Sequence, residues 1–409
     1  MRISILVFGT RGEVQPLVAL GLGLQAAGHT VRVVTQDTFH EFVASRGLAC
    51  VPIKTGLREA VQSRRKAGNY ALPTIYKLAR QYIRQSLTAV WEGCQDAEAL
   101  ILCDIGTIPG WHIVDKLHVP TFVASYYPEE ICQTFWETTL RGKIAARLEH
   151  FSMAVISSQL ILKPFINAWR KTELGLPPVS RIKENTEELK TRRTPVFYAY
   201  SDAVFPKPPA WPAWRHVTGY WFLNHPADWQ PPTNLVEFLA EGSPPVYVGF
   251  SSVDSSKMAG MTDLVLEALS LAGQRGILAA GWSTLGQRAT LPKDIFTVES
   301  VPHGWLFPQV AAAVHHGGAG TTAMGLRCGT PNIIIPFAFD NPFWAWRVAE
   351  LGAGPPGLAP QTLTAERLAE AISETIHNET MQARRTAISE RLRAEDGVAR
   401  AVELFHQYV

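Results

Sequence analysis

The chain opens on an apolar run, Ile3–Phe8, then a polar bend, then Pro16–Ala27, where apolar residues recur at helical spacing and Gly28 stands just past the end. The alternation repeats. Val31–Thr35, Leu100–Cys103 and Thr121–Ala124 are β-branched or apolar throughout, as strands buried on both faces are, and Ile108–Lys116 reads as a helix. Residues 141–170 read as a long helical stretch and Val196–Ala199 as a further strand. Strands alternating with helices predict a doubly wound α/β domain over 1–204. The segments FPKPPAWPAW and WQPP then crowd Pro and Trp together, and each Pro pushes its neighbour out of the α region, so 205–240 reads as an extended linker. Beyond it come Val246–Gly249, a helix over 257–271, Gly276–Ala280, Ile295–Val298, Ala312–His315, a helix over 321–328, Asn332–Ile335 and a helix over 343–350. This predicts a second α/β domain over 241–385, with a C-terminal helix at 386–409 packing back toward the first. Two such halves facing across a cleft would bind ligands at the carboxyl ends of their strands.

Length agrees: 409 residues exceed the ~250–300 at which single cores stop growing. A composition 46% hydrophobic and 18% charged excludes a disordered or fibrous chain. Lys plus Arg number 38 against 36 Asp plus Glu, so no global field draws in nucleic acid. The five cysteines are never spaced as CxxC, which reads as reduced thiols and neither a zinc site nor a disulfide frame. A strand-like start predicts no leader, and no run approaches the ~18 apolar residues of a membrane span. A cytoplasmic protein is the expectation.

The richest chemical signal is AVHHGGAGTTAMGLRCGTP, 313–331. A strand ending at His315 runs into Gly317, Gly318, Ala319 and Gly320, and Thr321 and Thr322 open a helix. Glycines let backbone approach a ligand, and the amides and dipole of a helix start favour an anion. A diphosphate cradle is one reading, with His315 and His316 each offering a further hydrogen bond; a tight turn with two core histidines is the other. No GKS or GKT follows, so it is not a Walker loop. A second bend, Phe8-Gly9-Thr10-Arg11-Gly12-Glu13, lacks GxGxxG, which disfavours a nicotinamide-dependent oxidoreductase. Glu13 there reads either as a catalytic acid at a strand's carboxyl end or as a stabilising first-turn residue.

FGTRGEVQPLVALGLGLQAAGHTV, VPHGWLFPQVAAAVHHGGAGTT and PFAFDNPFWAWRVAELGAGP together resemble the nucleotide-sugar-dependent glycosyltransferases of the GT-B fold, in the sterol-glucosyltransferase and antibiotic-glycosyltransferase branch. The resemblance spans nearly the whole chain. It implies two Rossmann-like domains, a donor site in the second, an acceptor site in the first, and inversion at the anomeric carbon with neither metal nor cofactor. Carried over by motif position, His315, Gly317, Gly318, Ala319, Gly320 and Thr321 contact the donor diphosphate, as does Ser251, with Thr10 and Arg11 reaching it on closure. Trp282 and Val301 flank the base, and Asp340 and Asn341 hold the sugar, unless they are merely an Asx cap before Pro342. Glu13 matches the general base, usually Asp in this branch, and Asp104 a supporting acid, unless it only caps its turn. Two departures stand out: Ala323 occupies the position of a ribose-binding Glu, and Asn341 replaces the usual Gln.

The resemblance places the acceptor among 122–169, where Phe122, Tyr126, Tyr127, Phe135, Trp136, Phe151, Phe165 and Trp169 lie. Tyr126, Phe135 and Trp136 are the acceptor-site candidates, and the others divide between that role and core packing. Lys54, Arg58, Arg64, Arg65, Lys66, Lys77, Arg80 and Arg84 form either a solvated face or a contact with anionic membrane. The expected activity is transfer of a hexose, glucose from UDP-glucose foremost, to a hydroxyl of a hydrophobic small molecule. Two rival readings remain: coupling of a nucleotide-activated cyclitol to a non-sugar hydroxyl, and a non-catalytic donor-binding helper.

Overall fold

The computed structural model describes residues 1–54, 72–128, 162–183, 185–226, 228–250, 260–280, 285, 290–337 and 340–409. The chain forms two compact units. Unit 1 comprises Met1–Ala199, Pro208–Trp221 and Val398–Val409, and unit 2 comprises Tyr200–Lys207 and Phe222–Gly397.

The strands of unit 1 are β1 (Arg2–Phe8), β2 (Thr30–Gln36), β3 (Ala49–Ile53), β4 (Ala99–Asp104), β5 (Thr121–Ser125), β6 (Val196–Tyr198) and β7 (Arg215–Val217). Among the described residues they make one parallel sheet in the order β3-β2-β1-β4-β5-β6-β7. Among its helices are α1 (Arg11–Ala26), α2 (His40–Ala44), α3 (Leu72–Glu92), α4 (Thr107–Leu117) and α5 (Asn185–Arg192). Unit 2 holds α6 (Thr233–Ala240), β8 (Val246–Gly249), α7 (Met261–Leu271), β9 (Gly276–Ala279), β10 (Ile295–Val298) and the short α8 (His303–Leu306). After these come β11 (Ala312–His315), α9 (Ala319–Cys328), β12 (Asn332–Ile334), α10 (Asn341–Glu350), α11 (Ala365–His377) and α12 (Glu379–Ala394). Its parallel sheet runs β10-β9-β8-β11-β12. Helix α13 (Gly397–Tyr408) follows.

Burial explains why the central strands can be read from the sequence. Leu6, Val33, Leu102, Val248 and Val314 are fully buried, so these strands are apolar on both faces. Strands β3 and β7 do not follow from pattern. Both lie at sheet edges, where one side of the ladder is free and proline is tolerated, and Pro52 and the Pro/Trp-rich surroundings of Arg215–Val217 hide them. The span 205–240, expected as an extended linker, thus contains β7 and α6. The helix expected over 386–409 is two, α12 and α13, parted at 395–396. Val398–Val409 belongs with unit 1, where Phe405 packs on Phe122 at 4.8 Å between ring centroids.

The strand orders locate the sites. Each sheet reverses direction of growth once, at β1/β4 and at β8/β11, and such switch points open a crevice at the strands' carboxyl ends.

Candidate functional site

At the unit 1 switch point β1 ends at Phe8, in register with Asp104 at the end of β4. The bend between β1 and α1 is tight: a Cβ on Gly9 would stand 2.9 Å from the Glu13 carboxyl carbon, so only glycine lets that acid fold back. Gln36 clamps Gly9 at both backbone groups, accepting from its amide at 3.2 Å and donating to its carbonyl at 3.0 Å. Helix α1 starts at Arg11, earlier than the pattern predicts, because Thr10 and Glu13 form a capping box. The amide of Thr10 and, at 2.5 Å, its hydroxyl donate to Glu13 Oε2, and Thr10 Oγ1 accepts from the Gly12 amide at 3.2 Å. Glu13 is therefore a helical first-turn residue, not a loop residue, and Thr10 is committed to holding it.

The other carboxylate oxygen is held separately. Tyr126, just past β5, donates its hydroxyl to Glu13 Oε1 at 3.3 Å. Burial and the neighbouring Asp104 and Glu13 charges push the Tyr126 phenol far up, so it stays a donor. Tyr126, one of the acceptor-site candidates, also holds the acid. Asp104 sits at φ 48, a left-handed conformation uncommon outside glycine, and its carbonyl accepts from Thr107 Oγ1 at 2.6 Å. Arg11 points along the surface of its own unit, donating to Gln15 Oε1 at 3.1 Å and lying 5.0 Å from the Phe42 ring.

At the unit 2 switch point β11 ends at His315, in register with Gly249. His315 is fully buried, and both ring nitrogens are engaged: Nδ1 accepts from the Gly317 amide at 3.0 Å, which leaves Nε2 to donate to Asn332 Oδ1 at 2.8 Å. Burial lowers its pKa to about 3, so it is neutral. Both ring nitrogens thus hold the turn itself. His316 differs, since its buried Nδ1 has no hydrogen-bond partner among the described residues, and burial lowers its pKa to about 4.

The turn itself is shaped by its glycines. Gly317 adopts φ +88, and a Cβ there would meet Ile334 Cγ2 at 2.6 Å and the Asn341 carbonyl at 3.1 Å. Gly318 is the N-cap of α9, with no side-chain cap. The first helical hydrogen bond is Thr322 N to Gly318 O at 3.0 Å, so the first-turn amides at Ala319, Gly320 and Thr321 precede the helix's own bonding. Gly320 is exposed, and a Cβ added to it would point into open space.

The tight Gly317–Asn341 contact brings the next predicted pair to this turn. Asp340 is the N-cap of α10, accepting from Trp344 Nε1 at 2.8 Å and from Asn341 Nδ2 at 3.4 Å. Val301 packs partly buried against the cluster of Leu235, Tyr247 and Phe307. Ser251, Trp282, Phe135, Trp136 and Phe151 lie outside the described residues, as do Arg58, Arg64, Arg65 and Lys66. Phe165 and Trp169 are buried, as core side chains. Among the described residues, no three His, Cys, Asp or Glu are gathered to hold a metal ion, and no helix is long and apolar enough to cross a membrane.

Residues 3–128 match the glycosyltransferase family 28 N-terminal domain, and 264–401 the erythromycin biosynthesis protein CIII-like C-terminal domain. A sterol 3-beta-glucosyltransferase of Arabidopsis thaliana is 34% identical over 422 residues, covering 100% of this chain and 68% of that protein. The chain belongs to the glycosyltransferase family of the sterol 3-beta-glucosyltransferases. The relative of that name in Neosartorya fischeri is 34% identical over 432 residues, and this glycosyltransferase chain spans 29% of its length. Solved structures share the fold: the glycosyltransferase of kitacinnamycin has a TM-score of 0.69 at 18% identity, covering 100% of this chain and 98% of that one. The glycosyltransferase VinC in complex with dTDP has a TM-score of 0.67 at 20% identity, covering 100% and 99%. These are the two-sheet α/β GT-B enzymes that the sequence resembles.

Proposed function

We propose that the chain transfers a hexose, glucose from UDP-glucose foremost, to a hydroxyl of a sterol-like hydrophobic acceptor, inverting the anomeric carbon. The observation that carries this reading is the uncapped N-terminus of α9, with the unpartnered His316 Nδ1 beside it. In the reaction the acceptor oxygen bonds to the anomeric carbon as the bond from that carbon to the diphosphate breaks, and its electrons leave with the nucleotide. The amides at Ala319–Thr321 meet the growing negative charge, a role that a divalent cation plays elsewhere. Asp340 and Asn341 accept and donate to the sugar hydroxyls. Glu13 takes the acceptor's proton on the carboxylate that Tyr126 and Thr10 orient. The donor is a co-substrate, so no resident cofactor or metal enters the scheme. The reaction is assigned to the cytoplasm, with the basic stretch 54–84 as the contact to an anionic membrane that holds such acceptors.

The test is a transfer assay with UDP-glucose, dTDP-glucose and a sterol, reading nucleotide release and the anomeric configuration of the product. A β-glucoside from the α-linked donor is the expected result. Nucleotide binding without product, across hexose donors and acceptors, would instead establish the helper reading.

A further inference from the structure

Unit 2 carries a second recess, about 410 Å³ in volume, at the end of α9 opposite the donor turn. Its walls are the Gly329–Pro331 turn after α9, the segment 307–311 leading into β11, and one face of α12. Val310 and Ile376 supply apolar lining, and Arg385, Thr386, Glu390 and Arg393 polar lining.

Arg385 lines this recess with buried polar atoms that the fold leaves unsatisfied. It is 4% exposed, yet among the described residues neither Nε nor Nη1 has a hydrogen-bond partner. Buried charges are ordinarily paired, because an isolated guanidinium loses its hydration and gains nothing in return. Nor is Arg385 needed to cap α9. The Arg327 carbonyl already accepts from Ser389 Oγ at 2.6 Å and Arg393 Nε at 3.0 Å, and the Cys328 carbonyl from Arg393 Nη2 at 3.4 Å. A guanidinium presents a fork that matches two oxygens of a carboxylate or phosphate. The volume falls within the ~300–1,000 Å³ of small-molecule sites.

We propose that this recess binds a small amphiphilic anion, its carboxylate or phosphate paired with Arg385 and its apolar body laid on Val310 and Ile376. The site goes beyond the transferase reading and is independent of it. Its occupant would grip the C-terminal end of the helix whose N-terminus is the donor turn, which makes it a place from which donor binding can be tuned.

The experiment is thermal unfolding of the full chain with octanoate, octyl phosphate, inorganic phosphate and octanol. Octanoate and octyl phosphate should each raise Tm by roughly 2–4 °C at saturation, while octanol leaves it unmoved. Arg385→Met should keep or raise the ligand-free Tm and abolish that response. Should it fail to unfold cooperatively, Thr386→Trp, which fills the recess from its exposed wall, should abolish the response instead. The proposal is overturned if octanol matches the anions, if inorganic phosphate alone does as much as octyl phosphate, if no probe shifts Tm, or if the response survives both substitutions.

Discussion

Each unit turns from a strand at its switch point into a helix through a glycine-bearing bend, and the two helix starts are filled in opposite ways. In unit 1 the Glu13 side chain folds back onto the Thr10 amide, so the N-terminus of α1 already holds an anion supplied by the chain itself. In unit 2 the N-terminus of α9 begins at Gly318, and among the described residues no side chain caps it with a hydrogen bond. The same backbone device is closed in one unit and open in the other. An open start suits a visiting diphosphate; a closed one fixes a carboxylate in place, where it can serve as a base without drifting toward a phosphate.

The largest effect should come from the closed turn. Glu13→Gln preserves the cap's acceptor oxygen but removes the basicity, so kcat should fall by about 10²–10⁴ while donor KM changes little. Steady-state transfer kinetics check this, and an unchanged kcat would reduce Glu13 to a cap. The intermediate effect comes from closing the open turn. Gly320→Asp places a carboxylate in the first turn of α9, in open space. Nucleotide affinity should fall by roughly 10–100-fold, while Tm holds or rises, since an acid at a helix start is worth about 0.3–1 kcal/mol to the helix. Calorimetric titration with UDP reads it, and undiminished affinity would put the diphosphate elsewhere.

The smallest effect concerns what shapes the open turn. Burial lowers His315 from 6.5 to about 3, so below 6.5 the unfolded chain binds a proton that the folded chain refuses. Stability should therefore be complete above that value and decline as pH drops toward 3, by about 1.4 kcal/mol per pH unit for one such group. His316 and His112, lowered to about 4 and about 3, add in the same direction. His315→Gln should flatten the decline between pH 6 and pH 4 in urea unfolding by roughly one proton's worth. An unaltered slope would mean that His315 is not the buried neutral group assigned here.

These contrasts mark how far the sequence can be read. The central strands are legible because burial on both faces leaves an apolar run, and the cluster at Gly317, Gly318 and Gly320 is legible as a tight strand-to-helix turn. What stays hidden is what the tertiary structure adds from a distance. Asn332, which sets the His315 tautomer, lies 17 residues away, and Gln36, which clamps Gly9, lies 27 away. Tyr126 is legible as an aromatic near the site, but its donation to Glu13 depends on β1 and β5 flanking β4 in one sheet. The true starts of α1 and α9 escape the pattern because a capping box and a glycine N-cap carry no apolar periodicity.

The packing of α13 has a consequence for synthesis. Val398 fills the space beside Gly23 of α1, and Phe405 closes over Phe122 of β5, although some 280 residues separate the latter pair in the chain. Unit 1 is translated first but cannot be completed until those late residues emerge, whereas nearly all of unit 2 is one uninterrupted stretch. The half that appears first on the ribosome is thus the half that finishes last, and an isolated unit 1 would need its closing helix supplied as a separate peptide.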